Sequence, residues 1–143
     1  MNEFQERLQE LLDEYSLSRL QLSKNIGISF ETLNGYFNKD LYPEISCAAR
    51  ISKYFKCSIN YLMGLTDEFN NQDINNLSFC DTIKKLVKEK NISIEKLMTS
   101  LNMGETNFYR WQRGNNKPAM NSIIAIAKYF DVSIDYLIYE YIK

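Results

Sequence analysis

The sequence predicts an all-α protein made of two similar helical domains, and three observations carry that expectation. Helix breakers are scarce: five Gly and two Pro among 143 residues, so little interrupts helical runs. Apolar residues recur three and four apart, as in Phe4, Leu8, Leu11 and Leu12, which is the spacing of one helix face. The chain also repeats itself at an offset of 75, taking Phe4 to Phe79, Leu11 to Leu86, Ser18 to Ser93, Tyr36 to Trp111 and Pro43 to Pro118. The strings KYFKCSINYL, from Lys53, and KYFDVSIDYL, from Lys128, are near copies. An internal repeat settles domain number before any other reading. The expected boundaries are 1–65 for the first domain, 66–78 for a polar linker (TDEFNNQDINNLS), and 79–143 for the second. Phe69, Ile74 and Leu77 could pack this linker onto a domain.

Five helices are expected in each half. The first runs from Phe4 to Glu14. Ser18 can cap a second over Arg19–Asn25, with Leu22 and Ile26 inward, and Gly27-Ile28-Ser29 makes a turn. Ser29 can cap a third over Phe30–Asn38, with Leu33 and Tyr36 inward. After a loop at Lys39–Pro43, a fourth spans Ile45–Phe55, and Ser58 can cap a short fifth ended by Gly64. In the second half, Ser93 can cap a helix to Ser100, with Leu97 and Leu101 on one face. Asn102-Met103-Gly104 is the turn, with Gly104 free to adopt a backbone angle other residues resist. The next helix is Glu105–Arg113, with Phe108 and Trp111 inward and Thr106, Tyr109, Arg110 and Arg113 outward. Gly114 stops it and Pro118 prevents a restart. Trp111 reads as a core anchor; base stacking is its alternative. The closing run Tyr136–Ile142 is apolar enough either to pack on the first helix of its own repeat or to make a subunit contact.

Two short helices across a tight turn, with arginines on the outer face of the second, are what a helix-turn-helix requires. The wording L…L…F-x-x-W-x-R-G…P, followed by IIAIAKYFDVSIDYL, resembles the Cro/cI (Xre-type) helix-turn-helix domains of phage and bacterial repressors. The resemblance implies two tandem five-helix lambda-repressor-like domains and double-stranded DNA as partner. It also implies that the first two residues of each third helix, and one a turn later, face the bases. These are Phe30, Glu31 and Gly35 in the first repeat, and Glu105, Thr106 and Arg110 in the second. Arg110 could pair bidentately with guanine; Arg113 and Lys117 suit phosphates, and Tyr109 lies on the same outer surface. In the first repeat, Arg19, Ser29, Asn34, Asn38 and Lys39 are the further candidates for DNA contact.

The halves depart from the family pattern in different ways. The first shows Phe, Glu and Gly at the reading positions and Lys39 in place of Gly114. The second has Ile94 where the first has Arg19. Charge follows the same division. Residues 1–70 hold seven Lys/Arg against ten Asp/Glu, and residues 71–143 hold ten against eight. The more basic half is the expected base reader.

Composition excludes several classes. Cys47, Cys57 and Cys80 are odd in number and widely spaced, and the chain has no histidine, so neither a disulfide framework nor a metal site is expected. Free thiols suit a cytoplasmic protein. No apolar run approaches the ~20 residues of a membrane span, and no signal peptide is seen. No nucleophile motif or phosphate loop points to an enzyme, and no cofactor or small-molecule ligand is expected. A DNA-binding transcriptional regulator is therefore the leading expectation. A protein-interaction adaptor or antitoxin-like partner is the alternative, supported by the acidic first half. The tandem domains could act as a covalent pseudo-dimer, or the chain could form a homodimer, as the resemblance implies for two-fold sites.

Overall fold

A helix begins most readily where a short polar side chain can accept from its unpaired backbone N–H groups, and serines in this chain do so repeatedly. In the computed structural model, which describes residues 1–71 and 73–143, Ser18, Ser29, Ser58, Ser78, Ser93 and Ser133 each accept from the N–H three residues on. The described residues form eleven helices and no strand. They divide into two compact units, Met1–Gln72 and Asp73–Lys143.

The first unit holds α1 (Glu3–Glu14), α2 (Arg19–Ile26), α3 (Phe30–Asn38), α4 (Ile45–Phe55) and α5 (Ile59–Leu62). Phe4, Leu8, Leu22, Leu33, Ile51, Phe55 and Leu62 are buried and form its core. Each such side chain contributes about 1.5–3 kcal/mol by leaving water. Tyr36, on the inner face of α3, is buried edge-on against Phe4 at 5.3 Å. A polar device not foreseen from the sequence sits at the start of α1. Asn2 and Gln5 cap each other's backbone N–H. Buried Gln5 also donates its side-chain amide to the Tyr36 carbonyl, and the Asn2 N–H donates to Asp40 Oδ1 at 3.0 Å. The end of α3 is thereby tied to the start of α1.

The second unit holds α6 (Phe79–Glu89), α7 (Ile94–Ser100), α8 (Glu105–Arg113), α9 (Met120–Phe130), α10 (Ile134–Leu137) and α11 (Tyr139–Ile142). Its core is the register copy of the first: Phe79, Ile83, Leu97, Phe108, Ile126 and Leu137 are buried. Trp111 is buried edge-on against Phe79 at 5.5 Å, matching the Tyr36–Phe4 pair.

Three expectations need correction. The second unit has a sixth helix, α11, beyond the five expected. Its Glu140 accepts from the Phe79 N–H at 2.6 Å, so the apolar C-terminal run turns back onto α6. Burial, then the nearby Glu140 carboxylate, pushes the pKa of the Cys80 thiol up to about 11. Second, the left-handed residue in the α7–α8 turn is Asn102 (φ 56), the register mate of Gly27 (φ 72), and not Gly104, which is extended (φ −71, ψ 141). Asn tolerates that region because its short polar side chain offsets the steric cost. Third, Ile26 and Leu101 are half-buried, because each falls at a helix end. Most of the stretch expected as a linker packs onto the units, a course its apolar residues had left open. Arg7 donates to the Thr66 carbonyl and Asp67, and the Ser58 N–H donates to the Phe69 carbonyl. Downstream, Asn75 is buried and donates to Thr82 and to the Tyr136 carbonyl, while Ser133 donates to Asp73. Phe69 packs edge-on against Tyr61, but Ile74 is 70% exposed. Gln72, within that stretch, lies outside the described residues.

Candidate nucleic-acid interface

In the second unit, α7 and α8 pack through Leu97, Met98 and Phe108, all fully buried. This burial on one face of α8 sends the residues between to the other. Thr106, Tyr109, Arg110 and Arg113 are exposed along the outer side, and Lys117 is exposed in the exit loop. Arg110 and Arg113 are three apart, so their guanidinium groups leave the helix from neighbouring rows. Gly114 ends the helix in the left-handed region (φ 78), and the Asn115 N–H closes the turn on the Arg110 carbonyl. Glu105 is engaged within the helix: the Tyr109 hydroxyl donates to its carboxylate at 3.2 Å, which raises the Tyr109 pKa. Lys117 Nζ stands 5.6 Å from the centroid of the Tyr141 ring, a cation–π distance. The C-terminal turn thus orients a cation beside the recognition helix.

The first unit puts different chemistry in the same register. Phe30 opens α3 with 43% of its surface exposed, and Glu31 beside it is exposed. Ser29, at the cap, accepts from the Thr32 N–H and donates to the Thr32 hydroxyl at 2.8 Å. Gly35 stands where the second unit has Arg110, and a Cβ there would meet nothing within 4 Å. Arg19 is half-buried: Nη1 donates to Asn34 Oδ1 at 3.0 Å and the guanidinium lies 3.8 Å above the Phe37 ring. Asn38 and Lys39 are exposed beyond it. The structure therefore joins Arg19 and Asn34 to each other, pairs Glu105 with Tyr109, and leaves Thr106, Arg110 and Arg113 on one outer face.

Three contributors escaped sequence reasoning: Phe37 as the platform for Arg19, Tyr141 beneath Lys117, and Asp40 in the tie to Asn2. A signal for the first lay in the repeat. Arg19 and Phe37 are replaced together by Ile94 and Gln112, the pattern of two side chains that touch.

What this geometry offers is a helix with a buried inner face and an exposed row of hydrogen-bond donors, the arrangement that fits a major groove. Comparison with known proteins identifies the domain type of both units. Residues 82–139 match the family of Cro/C1-type HTH DNA-binding domains, and residues 8–62 match a helix-turn-helix family. A relative is the uncharacterized HTH-type transcriptional regulator YobD of Bacillus subtilis (strain 168), 22% identical over 60 residues, which cover 42% of this chain and 54% of that protein. The match thus spans about half the length of that relative. No solved structure matches the chain. Among the described residues no helix is long and apolar enough to cross a membrane. The chain belongs to the Cro/C1-type helix-turn-helix family and carries two such domains in tandem.

Proposed function

We propose that the chain is a double-stranded-DNA-binding transcriptional regulator of repressor type, and that the second unit supplies most of its sequence-specific affinity. The observation that carries this reading is the outer face of α8, where Arg110 and Arg113 are exposed above an inner face anchored by Phe108 and Trp111. Arg110 reads guanine through its O6 and N7 acceptors; Arg113 and Lys117 hold phosphates. Backbone N–H groups at the start of α8 add a further anion contact, with no side-chain cap competing for them. The relative's description as an HTH-type transcriptional regulator supports the regulatory role.

The first unit binds alongside the second. Arg19 is its phosphate contact, oriented by Asn34 and Phe37, with Ser29, Asn38 and Lys39 near the backbone. Two recognition helices in one chain make a covalent pair. Pairing of whole chains on a two-fold site would extend this to four recognition helices. Sedimentation equilibrium, with and without DNA, distinguishes the two.

The test is selection of bound fragments from random duplex DNA by the full chain, followed by footprinting of the winner. Enrichment of a guanine-containing site, with affinity falling steeply as salt rises, supports the reading. No enrichment at low salt overturns it in favour of a protein-interaction adaptor.

A further inference from the structure

The reading positions of the first unit differ in chemistry from those of the second. In the second unit they carry Glu105, whose carboxylate already accepts from the Tyr109 hydroxyl, with Thr106 and Arg110, which can donate hydrogen bonds and so suit acceptor-rich edges such as guanine. In the first they carry Phe30, Glu31 and Gly35: an exposed ring, a carboxylate that only accepts, and no side chain at all. Major-groove edges of the opposite kind exist. Thymine presents a C5 methyl group, and cytosine presents an N4 amino donor.

We propose that the first unit reads this methyl-and-amino edge, with Phe30 seated against the C5 methyl of a thymine and Glu31 accepting from the amino group of a cytosine. The inference rests on the DNA-binding reading above and deepens it. Three features of α3 bear on it together. The exposed part of the Phe30 ring stands at the first helical turn, the part of a recognition helix that meets base edges. Gly35, one turn after Glu31, leaves its surroundings empty to 4 Å, so the middle of the helix can approach the groove floor closely. Finally, the Arg19 cation is held in place by two residues of α3. Stacking on Phe37 and the bond to Asn34 fix Arg19 at the start of α2, where it can anchor a phosphate and offset the charge of Glu31. The chain would then recognise two unlike half-sites, one rich in acceptors and one presenting methyl and amino groups.

The experiment uses the full chain on its selected duplex, with each thymine in turn replaced by deoxyuridine, which lacks only the C5 methyl. At one thymine the replacement should weaken binding about fourfold, the worth of burying one methyl-sized group. In Phe30→Ala the same replacement should make no difference, whereas Arg110→Ala should retain the fourfold discrimination at lower overall affinity. Phe30 is 43% exposed, so the variant should lose less stability than a core deletion, and a melting curve checks that it is folded at the temperature of the titration. If no thymine responds in the parent chain, or if Phe30→Ala responds as the parent does, the proposal is overturned. Should Arg110→Ala still weaken binding in that case, the DNA-binding reading stands and Phe30 becomes a candidate protein contact. If no duplex is bound at all, both fall.

Discussion

The two recognition helices, α3 and α8, are built on one pattern and finished differently. Each is nine residues long and lies in the same register, with one aromatic ring turned inward against the first phenylalanine of its unit. Outside, they diverge. In α8 the outer face carries Arg110 and Arg113; in α3 the matching positions are Gly35 and Asn38. Even the exits differ by one residue: Gly114 takes the left-handed angle in the second unit, while in the first it falls to Asp40, one step beyond Lys39. Duplicated domains keep what packing demands and are free to change what faces solvent. The inner face therefore reports the fold, and the outer face is where the two units differ.

The largest expected effect tests the shared inner face. Trp111→Ala should cost about 3–5 kcal/mol, as large aromatic deletions from a core do. Tyr36→Ala should cost a comparable amount, because its ring occupies the equivalent site against Phe4. For a small domain either loss is a large part of its stability. Chemical denaturation of each variant reads both values. If Trp111→Ala melts like the parent yet loses DNA binding, the indole is a surface stacking group and the two helices do not share an inner face.

Next come the outer faces. Arg110→Ala should cost about 1–3 kcal/mol on the preferred site and relax the preference at one base pair. Arg113→Ala should weaken all sequences alike and reduce the salt slope by roughly one. Asn38→Ala, the matched change in the first unit, removes no charge and should cost less than either. Titrations at two salt concentrations compare the three. A larger loss from Asn38→Ala would invert the roles assigned to the units.

How much of this was legible beforehand follows from what kind of force fixes each feature. Periodicity exposed the helices and the inward residues because burial is a face-wide effect, and the repeat checked each assignment twice, as with Leu22 and Leu97. The caps at Ser18, Ser29, Ser58 and Ser93 were readable because their bonds are local; those at Ser78 and Ser133 were not foreseen. The Asn102 turn was misassigned to Gly104 by composition alone, although the register already pointed from Gly27 to Asn102. Arg19 on Phe37, Lys117 over Tyr141, and Asn2 with Asp40 join residues distant in sequence. No local rule reaches such pairs. The extra helix α11 was not foreseen, but packing of the C-terminal run on the first helix of its own repeat was one of the two readings, and the Phe79 N–H bond to Glu140 is a contact of that kind.

A gain-of-function exchange sharpens the comparison further. Gly35→Arg puts the Arg110 side chain into the first unit at a place where an added Cβ would meet nothing within 4 Å. Replacing a mid-helix glycine should raise stability by up to about 1 kcal/mol, because glycine gives up the most backbone freedom there. The added cation should also strengthen non-specific binding and steepen its salt dependence. Thermal melting and a salt titration measure the two effects separately. A fall in stability would mean that the outer surface of α3 is more crowded than that of α8.

The smallest expected effect lies at the helix starts, where the register sets Ser29 against Gly104. Ser29 caps α3 through its side chain; Gly104 caps α8 with none. The glycine is not required by conformation, since its φ of −71 suits any residue and a Cβ would meet Asn107 and Thr106 only at 3.7 Å, an ordinary contact. Gly104→Ser should therefore add a cap and restrict the unfolded chain, raising stability by about 0.5–1 kcal/mol. Ser29→Gly, the reverse exchange, should lower it by a similar amount. Denaturation midpoints of the two variants give the comparison, and their DNA affinities give its meaning. If Gly104→Ser stabilises the fold but weakens DNA binding, the glycine is kept because it leaves the N–H groups of α8 open to a phosphate. If it stabilises with affinity unchanged, the missing cap is a neutral loss after duplication. A destabilising outcome would contradict the extended geometry at Gly104 and with it the registered start of the second recognition helix.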